Sequence, residues 1–145
     1  MPFVLDASIT GCWAFADEDH PVGTSALERV RTDEARVPSL WWFEVRNILI
    51  INERRGRITE SGTASFLRRL ARLRITLDHS PSETDTLALA RRHRLSVYDA
   101  AYLELALREG VVLATLDAEL VTAARAERVS LLGDLPAGKA GVDIE

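Results

Sequence analysis

Short apolar runs alternate with longer segments in which apolar residues recur every three or four positions. The short runs predict strands at Pro2–Leu5, Ala35–Val37, Arg74–Leu77, Val111–Leu116 and Val129–Leu132. The longer segments predict helices. The first spans Ala7–Ala16, with Cys12, Trp13 and Phe15 as apolar bulk, and the polar run DEDHP ends it. A second spans Val22–Thr32. Ser39 reads as the cap of a long helix, Leu40–Arg55, which Gly56 stops. Thr59 caps the next, which reaches about Leu73 and carries Glu60 in its first turn. Ser80 or Ser82 begins a helix that runs to about His93, and Ser96 caps Val97–Arg108, stopped by Gly110. A final helix covers Ala118–Ala126.

Strands and helices alternate, and the strands are apolar on both faces. The pattern predicts an α/β fold with a short central parallel sheet and helices on both faces. One domain over residues 1–132 accounts for it, and the small, polar remainder at 133–145 reads as a flexible tail. In such a sheet the functional crevice lies at the carboxyl ends of the strands, where strand order reverses.

Two of the apolar runs stop on or next to a carboxylate: Phe3-Val4-Leu5 ends on Asp6, and VVLATL ends on Asp117. If the two strands are neighbours, their ends lie roughly 5 Å apart. Glu44, one turn into its helix, and Asp99, in the first turn of another, begin at the same edge. Each Asp taken alone reads first as a helix cap, and Ser96-Val97-Tyr98-Asp99 fits a capping box. Glu44 is different, because it sits among Trp41, Trp42, Phe43 and Val45, where an unpaired carboxylate is costly. Four acids at one edge repel one another and raise each other's pKa values. A divalent cation removes that conflict, and oxygen-only donors suit Mg²⁺ or Mn²⁺.

Composition narrows the function classes. With 22 acidic and 18 basic residues the net charge is −4, which disfavours a general nucleic-acid coat but suits an acidic metal site. All but one of the basic residues are Arg; most read as solvated helix faces, although Arg suits phosphate. No apolar stretch is long enough to span a bilayer, and MPFVLDAS lacks the basic stretch of a signal peptide. The single Cys12 forms no internal disulfide, so a reducing, cytoplasmic setting is expected. His20, His79 and His93 lie off the acidic motifs, so no paired-histidine ribonuclease chemistry is indicated.

Four motifs carry a resemblance: VLDAS at 4–8, FEVRNIL at 43–49, YDAAYLELA at 98–106 and ATLDAEL at 114–120. Together and in this order they resemble PIN-domain proteins, and within them the VapC-type toxins of toxin–antitoxin pairs. The resemblance implies a Mg²⁺- or Mn²⁺-dependent endoribonuclease with Asp6, Glu44, Asp99 and Asp117 as catalytic, metal-holding acids. It implies supporting roles for Ser8 and Thr115 through their hydroxyls, with Asn47 and Glu119 as further candidates. It implies an RNA substrate, a homodimer, and a VapB-like antitoxin that carries any DNA contact. Trp13, Phe15, Trp41 and Trp42, expected on the first and third helices, are candidates for an antitoxin groove or for core; at least two should be core.

Two rivals remain. A receiver domain also places acids at strand ends, but here Asp6 is followed by Ala7 and Ser8, and the sole Lys is Lys139. A catalytically inactive PIN-like module for binding RNA or protein is the other. A nucleotide-binding fold is not indicated, since neither a GxGxxG nor a P-loop pattern is present.

Overall fold

Strands β1 (Phe3–Leu5), β2 (Ala35–Pro38), β3 (Ile75–Asp78) and β4 (Val112–Ala114) pair in parallel in the order β3-β2-β1-β4. These elements come from a computed structural model that describes residues 1–134. β1 is flanked on both sides, with Phe3 opposite Ala35 and Val112. Its three residues are fully buried, which is why the run is apolar without alternation. The chain builds outward from β1 to β2 to β3, then returns so that β4 lies on the other side of β1. The reversal of strand order therefore falls between β1 and β4.

The helices are α1 (Ala7–Cys12), α2 (Pro21–Val30), α3 (Leu40–Arg54), α4 (Glu60–Leu70), α5 (Glu83–His93), α6 (Val97–Glu109) and α7 (Ala118–Ala126). The predicted α/β architecture is the observed one. α6 packs on β1, β2 and β4 and is covered in turn by α5 and α7. Every residue from Ala100 to Ala106 is buried, so α6 is apolar nearly all round rather than along one stripe. The exception is Glu104, 2% exposed, whose carboxylate is met by Arg108 one turn later. Arg108 also reaches Asp78 at the end of β3, which ties α6 to the sheet edge.

Several boundaries differ from the sequence expectation. The first helix ends at Cys12, not Ala16, because the chain tightens into successive turns through Phe15. The Trp13 indole N–H donates to the Gly23 carbonyl of α2 at 2.9 Å, and Phe15 turns into the core. Trp13 and Phe15 thus lie beyond α1. Ser39 is not a side-chain cap: it has helical backbone angles and makes no capping bond. Ser82, not Ser80, caps α5 through Asp85 N–H at 3.2 Å. The predicted strand Val129–Leu132 shrinks to a single bridge between Leu131 and Leu113, and β4 leaves the sheet after Ala114 rather than Leu116. The tail expected from 133 lies almost wholly outside the described residues. No described helix is long and apolar enough to cross a membrane.

Candidate active site

The reversal point between β1 and β4 brings the first and last acidic motifs together. The Asp6 N–H donates to the Ala114 carbonyl at 3.0 Å, so the sheet pairing carries on to the residue that follows β1. Asp6 stands at the N-cap position of α1, yet its side chain makes no capping bond. Instead Oδ2 accepts from the Ser8 hydroxyl at 2.8 Å and from the Thr115 hydroxyl at 2.6 Å. The Ser8 hydroxyl in turn accepts from Leu116 N–H at 3.1 Å, and Thr115 Oγ1 accepts from Asp117 N–H at 3.0 Å. Two hydroxyls thus lock the β1 end to the loop after β4, both bonding Asp6 Oδ2, while among the described residues no side chain donates to Oδ1. Burial is the largest influence on Asp6 and raises its pKa, against the lowering effect of those hydroxyls.

The other acids close around it. Asp99, Asp117 and Glu119 each place a carboxylate oxygen within 4.8 Å of the other two. Asp117 caps α7 through Leu120 N–H at 2.9 Å with Oδ1 and still contributes to this cluster, so capping and convergence coexist. For Asp99 the capping box is half formed. Ser96 Oγ accepts the Asp99 N–H at 3.0 Å, but the Asp99 carboxylate makes no return bond among the described residues. Partial burial, then the charges of Asp117, Asp6 and Glu119, push Asp99 up to about 6. Glu44 stands apart from that cluster. Its Oε1 accepts from the Tyr102 hydroxyl at 2.6 Å, and burial first, then Asp6 and Asp99, raise its pKa. Tyr102 is itself fully buried, and its hydroxyl is raised well above the usual phenol range by burial and by Asp6 and Glu44.

All four predicted acids therefore reach one edge of the sheet and feel one another's charge. Glu119, expected as a marginal candidate, joins Asp99 and Asp117 directly. Asn47 is exposed and makes no side-chain hydrogen bond among the described residues. Tyr102 was not anticipated, although its place three residues after Asp99 puts both on one face of α6. The donor set is all oxygen and crowded, and burial, then mutual repulsion, raises the pKa of Glu44 and Asp99. That is the arrangement a hard divalent cation relieves.

The sequence matches the PIN domain family over residues 3–126. The chain belongs to the PIN domain family. Ribonuclease VapC3 of Pyrobaculum aerophilum is 34% identical over 123 residues, covering 83% of this chain and 92% of that protein. The VapC-type resemblance is thereby borne out. Among solved structures, PAE2754 from Pyrobaculum aerophilum superposes on this PIN domain with a TM-score of 0.71 at 20% identity, covering 97% of this chain and 96% of that one. VapBC2 from Rickettsia felis, bound to a DNA fragment from their promoter, gives a TM-score of 0.62 at 16% identity, covering 90% and 97%. FitAcB from Neisseria gonorrhoeae gives 0.55 at 14% identity, covering 92% and 98%. At these identities the structural likenesses speak to the PIN fold alone.

The Thr115 hydroxyl serves two partners at once, so Thr115→Val, nearly the same shape, isolates its work. The variant leaves Asp6 with one donor fewer and the Asp117 N–H unpaired. A loss of about 2 kcal/mol in urea unfolding is expected, with weaker Mn²⁺ binding by calorimetry. Unchanged stability together with unchanged Mn²⁺ affinity would remove Thr115 from the site.

Proposed function

We propose that the chain is a divalent-metal-dependent endoribonuclease, the toxin of a type II toxin–antitoxin pair. One observation carries this reading: the oxygens of Asp99, Asp117 and Glu119 converge beside buried Asp6 at the β1/β4 reversal point. The PIN family and the 34% identity to a protein named a ribonuclease support the same reading.

Asp99, Asp117 and Glu119 would hold Mg²⁺ or Mn²⁺, with Asp6 and Glu44 alongside. A bound ion supplies charge that polarises a phosphodiester oxygen and acidifies a water. The chain's own groups prepare that event. Ser8 and Thr115 fix Asp6 through its Oδ2. Tyr102 donates to Glu44 Oε1 and so fixes that carboxylate within reach of the charges of Asp6 and Asp99. Burial and the neighbouring carboxylates raise both Asp99 and Glu44, so a cation held there would favour their ionised forms. Water attacks phosphorus in line, one P–O bond forms as another breaks, and the attacking proton passes to a site carboxylate.

The sign of the pH dependence follows from Asp99, raised from 3.8 to about 6. Folded Asp99 keeps its proton to higher pH than the unfolded chain does. Its contribution to stability is therefore full below about pH 4 and is lost as pH climbs through about 6. A divalent ion needs the ionised form, so ion binding strengthens over the same window. The Tm gained on adding Mn²⁺ is expected to be larger at pH 7 than at pH 5. Equal gains at the two pH values would count against metal binding through Asp99.

A VapB-like antitoxin is the partner this reading requires, with promoter DNA contacted through it, and a homodimer and a cytoplasmic setting go with it. Trp41 and Phe15 are core, although Phe15 also forms part of the lining of a cavity beside α1. Trp42 is 43% exposed, and a cavity of about 360 Å³ between α1 and α2 sets Trp13 and Leu27 beside Glu18, Asp19 and Arg69, which supports a docking role for an amphipathic peptide. The deciding experiment is induced expression of this chain, with new RNA 5′ ends mapped beside an Asp6→Asn control. New ends in the control as well as the wild type, or in neither, would overturn the assignment.

A further inference from the structure

Next to the acidic cluster lies a cavity of about 310 Å³ lined by His93, Arg94, Ala118, Glu119, Thr122 and Ala123. Glu119 forms one wall of this cavity and is also a member of the cluster with Asp99 and Asp117. The neighbouring cations on α5 are engaged: Arg92 and His93 both hold Glu127, at 2.5 and 2.6 Å. Arg94 is not. It is exposed, and among the described residues its guanidinium joins no ion pair, no side-chain hydrogen bond and no aromatic ring.

We infer that Arg94 and this cavity hold the RNA phosphate next to the one that is cut. The inference rests on the nuclease reading above. A phosphodiester seated at the acidic cluster continues into neighbouring nucleotides, and the strand passing Glu119 enters this cavity directly. Its own phosphate there meets a free planar guanidinium, which suits bidentate phosphate binding. The need is electrostatic as well. The chain is net negative, and five carboxylates crowd the edge where a polyanion must approach. A free cation beside that edge offsets the repulsion where the substrate feels it most.

The backbone supplies a clean test. Arg94 follows α5 with φ 56 and ψ 39, a left-handed conformation, and its N–H donates to the Ala90 carbonyl. Gly110 ends α6 with nearly the same angles, φ 67 and ψ 40. Arg94→Gly is therefore conformationally favoured, and lost binding in that variant is not lost folding. Arg128 takes a similar conformation after α7, beside a different cavity, so the conformation alone does not mark a site.

The experiment measures binding of a labelled, mixed-sequence single-stranded oligoribonucleotide over a range of salt concentrations with Mg²⁺ present. The chain carries Asp6→Asn so that the strand stays whole. Adding Arg94→Gly is expected to weaken binding about tenfold at low salt and to flatten the plot of log K against log salt by about 0.7. Arg94→Lys should keep the salt slope and recover part of the affinity, and Arg68→Ala on the exposed face of α4 should change neither. Unchanged affinity and slope in Arg94→Gly would overturn the subsite while leaving the nuclease reading intact. So would an Arg94→Gly effect confined to antitoxin binding, which would give the cavity to that partner. If the Asp6→Asn chain binds no RNA and the wild type cuts none, the nuclease reading fails and the subsite with it.

Discussion

RNA cleavage with Mg²⁺ present is expected to fall about a thousandfold or more in Asp99→Asn, while the fold is retained or slightly strengthened. The two halves of this result share one cause. Asp99 is held against the charges of Asp117, Asp6 and Glu119. In the metal-free chain a neutral amide relieves that repulsion, so thermal unfolding at pH 7 should shift upward or stay put. On the metal-dependent reading, the same amide would lack the charge that holds the cation. Cleavage of a labelled RNA and a melting curve on one preparation check both. Wild-type cleavage by Asp99→Asn would remove Asp99 from the site. Lost cleavage accompanied by a lowered metal-free Tm would make Asp99 a structural residue instead.

The second large effect concerns the core beneath the site. Arg108→Met is expected to destabilise the fold by about 3–5 kcal/mol, because it leaves Glu104, 2% exposed in the apolar middle of α6, uncompensated except for a long bond from the Ser82 N–H at 3.4 Å. Asp78 at the end of β3 loses its partner in the same step. Adding Glu104→Leu to that variant should recover most of the loss, since two apolar side chains then replace a buried pair. Urea unfolding of the single and double variants measures the coupling. If the single variant costs less than about 1 kcal/mol, the buried pair does not hold α6 in place.

The acids themselves were legible in the chain because each sits where an apolar run breaks. Their competing reading as caps was also sound, and only the side chains separate the cases. Asp6 turns inward to Ser8 and Thr115, whereas Asp117 caps α7 and faces the cluster at once. Tyr102 escaped notice because a Tyr among Ala and Leu in a buried helix reads as packing. Only the approach of α3 shows that its hydroxyl meets Glu44. Glu119 was a further candidate that could equally have been a plain first-turn acid of α7, and only the folded arrangement shows it beside Asp99 and Asp117. Asn47, a further candidate from the resemblance, lies one turn after half-buried Glu44 and is itself exposed. The break at Cys12 depends on Trp13 reaching Gly23, a tertiary contact with no local signal.

The Asp6–Thr115 bond joins partners 109 positions apart. A nascent chain emerging from the ribosome therefore carries Asp6 long before its donor exists, and the remaining acids of the cluster, Asp117 and Glu119, arrive later still. Any product that stops short of this stretch lacks both the Thr115 donor and two acids of the cluster. On the nuclease reading proposed above, activity would therefore arise only after β4 and the first turn of α7 have been made and folded back against β1.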